Sequence, residues 1–215
     1  MKTLKIWVLC LLLGTVWDVC LARDLKQNKD TTTKVASVDG PYVLYDEAGR
    51  MRVIHVDEHG VLQDRVYDEV PEDFKLDVVS QKGGHRFQVK LHPVERPLWK
   101  SGQREKTLII SDPHGDLESF VSVLRNNGVI GKNYKWKFGK NQVIVIGDVF
   151  DRGKDVLPIF WLMYKLEQEA KDAGGVMNFM LGNHEEMVLR GNLKYTRSKY
   201  KDLATSLGME YADLW

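Results

Sequence analysis

Cysteine is almost absent from this sequence of 215 residues, and its two copies, Cys10 and Cys20, both lie near the amino terminus. A chain without cysteine beyond that point has no disulfide framework and no thiolate metal site. A metal ion bound by the remaining residues would therefore depend on oxygen and imidazole ligands.

Long apolar segments are also scarce. Lys2 and Lys5 form a basic start, and the apolar run at residues 6–16 is too short to span a membrane. Cys20 and Ala22 then offer small residues at the positions that a signal peptidase reads, with Leu21 between them. The pattern is typical of a secretory signal peptide at residues 1–22, with a membrane anchor at the start of the chain as the alternative. We expect export to the periplasm or the extracellular space, and no membrane contact after cleavage.

Net charge is nearly zero, at +1 for the whole chain. Removal of the leader takes away Lys2, Lys5 and Asp18, which leaves a formal charge of 0. A general binder of polyanions needs a basic excess, so we expect no nucleic-acid partner. Aromatic residues alternate with lysines between residues 133 and 140, and this period of two predicts a short, lysine-protected edge strand or hairpin.

A polar, flexible linker is expected at residues 23–40, and a β-rich region at residues 41–105. Its first three β-like runs are separated by acidic turns that end in glycine, which predicts a small meander of hairpins. Residues 74–79 and 86–91 are candidates to continue that meander. Four histidines in this region are interpreted as turn and surface residues rather than as metal ligands: His55, His59, His85 and His92.

From residue 106 onwards, strand and helix patterns alternate. Strands are predicted at 107–112, 142–147 and 176–181, and helices at 116–127, 155–172 and from 185. Such alternation predicts an α/β fold with a parallel sheet and right-handed crossovers. The front half of the second helix is apolar nearly all round, so we expect it to be buried on more than one side. Asp155 is its expected N-cap.

Each predicted strand of this part ends at side chains that can bind a metal ion or carry a proton. Asp112 and His114 follow the first strand, Asp148, Asp151 and Arg152 follow the second, and Asn183 and His184 follow the third. The carboxyl ends of parallel strands meet at one crevice, so we expect these side chains to converge. Oxygen and imidazole ligands of this kind suit Mn, Fe or Zn.

The chemistry of these side chains indicates a division of roles. Asp148, on the central junction, can bridge two ions and thereby activate a water molecule for attack on phosphorus. Arg152 suits a forked grip on a phosphate group. His184 would protonate the leaving oxygen, and Asp151 would orient and stabilise that imidazole.

Three motifs carry a family resemblance. They are Asp-x-His-Gly-Asp at 112–116, Gly-Asp-x-x-Asp-Arg-Gly at 147–153 and Gly-Asn-His-Glu at 182–185. In this order they resemble the calcineurin-like metallophosphoesterases, and the Arg-Gly pair resembles the phosphoprotein phosphatase branch. The tryptophan-containing insertion, and residues 191–195, resemble its bacterial-type Shewanella-like phosphatases. The resemblance covers roughly residues 106–200, and residues 23–105 carry no such signal.

The resemblance implies a metallophosphoesterase-type β-sandwich with flanking helices, preceded by the β-rich meander. It implies two divalent metal ions, with Asp112 and His114 on the first, Asp148 between them and Asn183 on the second. For Asp116 it leaves two alternatives open, a minor role in arranging the site and simple helix capping.

The sequence departs from the family pattern because no histidine follows His184. The resemblance implies two further histidine ligands for the second ion, so we expect residues 106–215 to be the N-terminal half of the domain, from a longer enzyme. The expected function is a metal-dependent phosphatase for phosphomonoesters, including phosphoproteins, with weak or no activity in this chain alone. The alternatives are a phosphodiesterase or nucleotide hydrolase on the same scaffold, and a non-catalytic remnant whose β-rich region binds a partner.

The leader generates one prediction. If residues 1–22 are removed by a signal peptidase, the exported protein begins at Arg23. N-terminal sequencing of the secreted protein checks this. A chain that keeps its first residues and stays in the membrane fraction would instead support the anchor.

Overall fold

A computed structural model describes residues 37–82, 84–97, 100 and 102–215. The expected signal peptide at residues 1–22, and most of the expected linker, lie outside the described residues. Among those described, the chain forms eight β-strands and four α-helices. Within this part of the chain, none of the helices has both the length and the apolar character needed to cross a membrane.

The first sheet is the predicted meander. It contains β1 (Asp39–Tyr45), β2 (Met51–Val56) and β3 (Leu62–Tyr67), paired antiparallel in that order. The two acidic turns close as expected, because Gly49 and Gly60 adopt positive φ angles of 81° and 74°. Local turn chemistry is therefore sufficient to predict this part of the fold.

The next two strands do not continue that meander, contrary to expectation. Strands β4 (Lys75–Val79) and β5 (Arg86–Lys90) form a separate two-stranded antiparallel sheet. Their alternate residues, such as Val78 and Val89, are fully buried. Both strands contact the long helix of the main domain, so their apolar faces are covered by that helix and not by extension of the first sheet.

One further expectation for this half of the chain was wrong. His85 is buried, not a surface residue: its Nδ1 lies 2.8 Å from the Tyr134 hydroxyl and its Nε2 lies 2.7 Å from Glu118. For residues 133–140, where a short strand or hairpin was expected, the structure has turns and a minimal hairpin, in which Trp136 pairs with Ile130 through one isolated antiparallel bridge. The Gly131 N–H donates to the Lys135 carbonyl at 2.9 Å and the Lys137 N–H donates to the Val129 carbonyl at 2.8 Å, while the outward-facing Trp136 N–H donates to the Glu169 carboxylate at 2.9 Å.

The main sheet has the predicted parallel topology. It contains β6 (Thr107–Ile110), β7 (Gln142–Ile146) and β8 (Val176–Met180), with β7 in the centre. The helices are α1 (Leu117–Asn126), α2 (Val156–Asp172), α3 (Asn183–Leu189) and α4 (Ser198–Ser206). One face of the sheet buries Val143, Val145, Met177 and Phe179, whereas the other exposes Ile109, Ile146 and Met180. The carboxyl ends of all three strands lie at the same edge.

Helix α2 is the centre of the core. It contacts β8 on one side and β1, β4 and β5 on another, and every residue from Val156 to Tyr164 is buried. The Trp161 indole N–H donates to the Pro41 carbonyl at 2.7 Å, which ties α2 to the first sheet. The prediction that this helix is buried on more than one side is therefore confirmed.

Asp155 precedes α2, but it does not cap the helix with its side chain. Its carboxylate instead accepts the backbone N–H of Gln81, from the turn between β4 and β5, at 2.6 Å. Burial raises the pKa of Asp155. A tertiary partner has replaced the local one, and the turn between β4 and β5 is thereby fixed to the start of α2.

On the last turns of α2, Glu167 is a half-buried acid beside a cavity of about 330 Å³. Among the described residues, its Oε2 has no hydrogen-bond partner. Burial, with a smaller contribution from the charge of Glu95, raises its pKa to about 7, although Lys171 partly offsets this. The acid therefore holds its proton more tightly in the folded chain than in the unfolded chain.

We predict that Glu167→Gln stabilises the protein at alkaline pH. Between the unfolded pKa of 4.5 and the folded pKa of about 7 the folded state binds more protons, so the wild type loses stability as pH rises through that window. The glutamine does not titrate and should gain about 1 kcal/mol at pH 8, after allowance for solvent screening, and less than half of that at pH 5. Urea unfolding at both pH values measures this. An equal effect at both pH values, or a loss at pH 8, would contradict it.

Candidate active site

The three loops that follow β6, β7 and β8 contact one another at the edge of the sheet. The His114 backbone N–H donates to the Asp148 carbonyl at 2.9 Å, which joins the first loop to the second. The second and third loops approach so closely that a Cβ atom on Gly147 would lie 2.3 Å from the Gly182 nitrogen. Only glycine fits such an approach. The predicted convergence of the junctions is therefore present.

Strained backbone is concentrated in these loops. Among the described residues, six that are not glycine have positive φ, and five of them are predicted site residues: Asp112, His114, Asp148, Asp151 and Arg152. Left-handed conformations of this kind cost non-glycine residues free energy and persist only where the surroundings enforce them. The backbone conformation at the strand ends therefore places the side chains of these five residues at a cost in local stability.

Glu185 is the residue that holds the second and third loops together. It is fully buried, and its Oε1 accepts the backbone N–H groups of Val149 and Phe150 at 2.8 Å and 3.1 Å. Its Oε2 accepts those of Asp148 and Gly182, both at 2.7 Å. Four donors satisfy one buried carboxylate. Sequence analysis named Glu185 only as part of a motif, since no local pattern shows which distant N–H groups a glutamate will reach.

His114 offers a nitrogen suited to a metal ion. Its Nδ1 lies 2.8 Å from the Phe150 carbonyl oxygen, which can only accept, so Nδ1 carries the proton. Its Nε2 is then a free lone pair, and among the described residues this buried atom has no hydrogen-bond partner. Ligand atoms of His114, Asp148 and His184 all lie within 4.8 Å of one another. The donor set fits a divalent ion of the borderline type.

Asp112 lies at the rim of the same cluster, and Asn183 is adjacent in sequence to its member His184. The Asp112 carboxylate is exposed and lies 3.6 Å from His114 Nε2. A hydrogen bond from Ser111 lowers the pKa of Asp112, and His114, Asp148 and Arg152 lower it further. Asn183 is exposed at the first position of α3, next to His184, whose backbone N–H donates to the Asp148 carboxylate at 3.0 Å.

Asp151, His184 and Arg152 form the second part of the site. His184 Nδ1 lies 2.7 Å from the buried Asp151 carboxylate, which accepts its proton, so Nε2 faces the cluster. An Arg152 guanidinium nitrogen lies 3.5 Å from that Nε2, and the Arg152 residue is exposed. A proton carrier and a fixed positive charge thus lie side by side next to the group of candidate ligands.

Asp116 lies outside this cluster and caps α1. Its carboxylate accepts the Ser119 backbone N–H at 3.1 Å and the Ser119 hydroxyl at 2.7 Å. These hydrogen bonds lower the pKa of Asp116. Of the two alternatives left open for this residue, helix capping is the one that the contacts account for.

Imidazole and carboxylate ligands at the carboxyl edge of a parallel sheet, beside an arginine and an Asp-His pair, define a metallohydrolase type of centre. The model of the calcineurin-like phosphoesterase family matches residues 105–213. The chain belongs to this family, whose chemistry depends on divalent metal ions.

The chain is similar to several known phosphatases. It is 36% identical over 111 residues to Shewanella-like protein phosphatase 2 of Arabidopsis thaliana, covering 52% of this chain and 26% of the relative. It is 39% identical over 95 residues to Shewanella-like protein phosphatase 1 of Plasmodium berghei, covering 44% of this chain and 26% of the relative. The chain thus spans about a quarter of the length of these curated relatives.

A solved structure is similar over a longer stretch. The cold-active protein-tyrosine phosphatase of a psychrophilic Shewanella species superposes with a TM-score of 0.64 at 28% identity, covering 83% of this chain and 53% of that protein. Residues 105–213 are only about half of this chain, so the superposition includes part of the β-rich region as well. Sequence analysis found no family signal there, and the structural similarity therefore extends further than the motifs.

The geometry around Glu185 generates a further prediction. In Glu185→Gln one carboxylate oxygen becomes an NH₂ group that cannot accept, so two buried backbone N–H groups lose their partner. At about 1–3 kcal/mol for each unpaired group, the free energy of unfolding should fall by about 2–6 kcal/mol. Denaturant unfolding measures the loss.

The neighbouring residue provides the control. Glu186 is exposed and pairs with Arg190 on the surface of α3, so Glu186→Gln should change stability by less than about 0.5 kcal/mol. Equal stabilities of the two variants would show that the Glu185 carboxylate does not hold the loops together.

Proposed function

We propose that this protein is a metal-dependent phosphatase that hydrolyses phosphomonoesters, phosphorylated proteins among them. The observation that carries the proposal is the meeting of the free His114 Nε2 and the Asp148 carboxylate with the Asp151-His184 pair and Arg152 in one crevice. Such a crevice holds ligands for a metal ion, a proton donor and a positive charge for phosphate. Family membership supports the same chemistry.

Asp112 and His114 would hold one ion, Asp148 would bridge to a second, and Asn183 would contribute to that second site. The cluster geometry also allows His184 as a ligand. We favour His184 as the proton donor, because the Asp151 carboxylate, 2.7 Å from its Nδ1, stabilises the charged imidazole that this role requires. The donor set suits Mn, Fe or Zn.

Bound divalent ions supply Lewis acidity that makes water a nucleophile toward phosphorus near neutral pH. The protein's own groups act on the phosphate and on the leaving group. Arg152 would grip two phosphate oxygens with its guanidinium fork. His184 would deliver a proton from Nε2 to the departing oxygen, while Asp151 keeps the proton on Nδ1 and stabilises the charged imidazole.

Two observations favour monoesters of proteins over the alternative substrates. Arg152 is exposed in the crevice, and a guanidinium fork suits the two free oxygens of a phosphomonoester. Relatives named as protein phosphatases, and a solved protein-tyrosine phosphatase, support a phosphoprotein substrate. We further propose that the protein acts outside the cytoplasm, on the strength of the leader pattern at residues 1–22.

Metal binding and hydrolysis test the proposal together. The chain should bind Mn²⁺ in calorimetric titration, and Asp148→Asn should weaken that affinity at least about tenfold, since even residues that only support metal ligands contribute 10- to 100-fold. Asp202→Asn, the same change at an exposed position of α4, should leave the affinity unaltered. Any hydrolysis of p-nitrophenyl phosphate should require the metal and disappear in Asp148→Asn.

Assays on bis(p-nitrophenyl) phosphate, a nucleotide, phosphoserine peptide and phosphotyrosine peptide separate the alternatives. Faster hydrolysis of the diester or of the nucleotide would overturn the monoesterase proposal. Absence of metal binding by the wild type, or equal binding by Asp148→Asn, would favour the non-catalytic alternative.

A further inference from the structure

The Asp151 carboxylate has two buried oxygen atoms, and each is bound by a different side chain. Oδ2 accepts the proton on His184 Nδ1 at 2.7 Å, whereas Oδ1 accepts the Thr196 hydroxyl at 2.8 Å. Asp151 is 1% exposed and Thr196 is 7% exposed, so water does not compete for these contacts. Thr196, Asp151 and His184 therefore form a continuous hydrogen-bonded chain that ends at the candidate metal cluster.

The backbone around Thr196 is docked on Arg152, the residue that follows Asp151. The Arg152 N–H donates to the Tyr195 carbonyl at 3.3 Å, and Arg197 Nε donates to the Arg152 carbonyl. Residues 195–197 thus each contact Asp151 or Arg152. The hydroxyl of Thr196 is delivered by a segment held in place on both sides, and its contact with Asp151 is not an isolated surface encounter.

We propose that Thr196 is a positioning residue for the Asp151-His184 pair. A carboxylate bound through one oxygen alone can rotate about its Cβ–Cγ bond, which moves Oδ2 away from the imidazole. By occupying Oδ1, the Thr196 hydroxyl fixes this rotation and keeps Oδ2 on His184 Nδ1. The significance of this for catalysis rests on the proposed function, in which His184 is the proton donor, but the geometric role does not.

Removal of the hydroxyl has a defined consequence. In Thr196→Val the side chain keeps its shape, but Oδ1 of Asp151 is left buried without a donor. The carboxylate can then lower its free energy by rotating toward another N–H group or a water molecule, and this rotation weakens the hydrogen bond to His184 Nδ1. If the chain hydrolyses a phosphomonoester, the kcat of Thr196→Val should be about tenfold lower than that of the wild type, with little change in KM. A positioned general acid accelerates a reaction by about 10²–10⁴-fold, and the variant should lose part of that acceleration.

The hydrogen bond itself gives the decisive measurement. A strongly bonded imidazole Nδ1–H exchanges slowly with water and appears as a downfield proton resonance in ¹⁵N-edited NMR of the full chain. Its disappearance in His184→Gln assigns it. We expect the resonance to be lost or shifted upfield in Thr196→Val and to be retained in Thr196→Ser, which keeps the hydroxyl.

Thr205→Val is the matched control. Thr205 lies on the exposed side of α4, and its hydroxyl donates to the Lys201 carbonyl at 2.9 Å, so the same substitution removes a hydroxyl away from Asp151. It should leave the resonance unchanged. If Thr196→Val affected only the stability of the fold, its melting temperature would fall, but the folded variant would keep the resonance.

Each outcome decides the inference. An unchanged resonance in folded Thr196→Val overturns it, and so does a wild type in which His184 gives no such resonance. If Thr196→Val does not fold, Thr196→Ser decides, because loss of the resonance with the hydroxyl still present would contradict the proposed contact. Failure of the proposed function is distinguishable: the wild type would bind no Mn²⁺, while the resonance would still respond to Thr196→Val.

Discussion

One buried carboxylate holds the candidate active-site crevice together. Glu185 accepts four backbone N–H groups, three from the loop after β7 and one from the loop after β8. A full negative charge inside the protein is costly unless donors surround it, and here the donors are the loops that carry Asp148 and His184. Because the same hydrogen bonds satisfy the charge and join the loops, the candidate ligands have fixed relative positions before any ion binds.

The strain in the neighbouring residues depends on this support. Asp148, Asp151 and Arg152 have left-handed backbone conformations, and the glycine contacts between loops leave no room for relaxation. Such residues are stable only when their surroundings over-determine them. Helix α2 completes these surroundings, since it packs the parallel sheet on one side and the N-terminal strands on another. The crevice is therefore a product of the whole core, although its side chains come from three short loops.

Sequence patterns predicted the alternating strands and helices of residues 106–215 because their periods and end signals are local. They also predicted that Asp112, His114, Asp148, Asp151, Arg152, Asn183 and His184 would approach one another, since parallel strands share an edge. The errors lie where a distant partner replaced a local one. Asp155 accepts from Gln81, and His85 is enclosed by Tyr134 and Glu118. No pattern within a short window contains such partners.

The left-handed residues also bear on the order in which the protein folds. Their conformations are unfavourable in the unfolded chain and become tolerable only after α3 has docked and Glu185 has met its donors. We then expect the native contacts of the crevice to be absent from the folding transition state. A substitution at these positions would change the free energy of unfolding but hardly the activation free energy of folding. Destabilising changes there would accelerate unfolding while leaving the folding rate nearly constant. These few contacts therefore determine how long the folded protein persists before it unfolds, and they have little influence on how fast it folds.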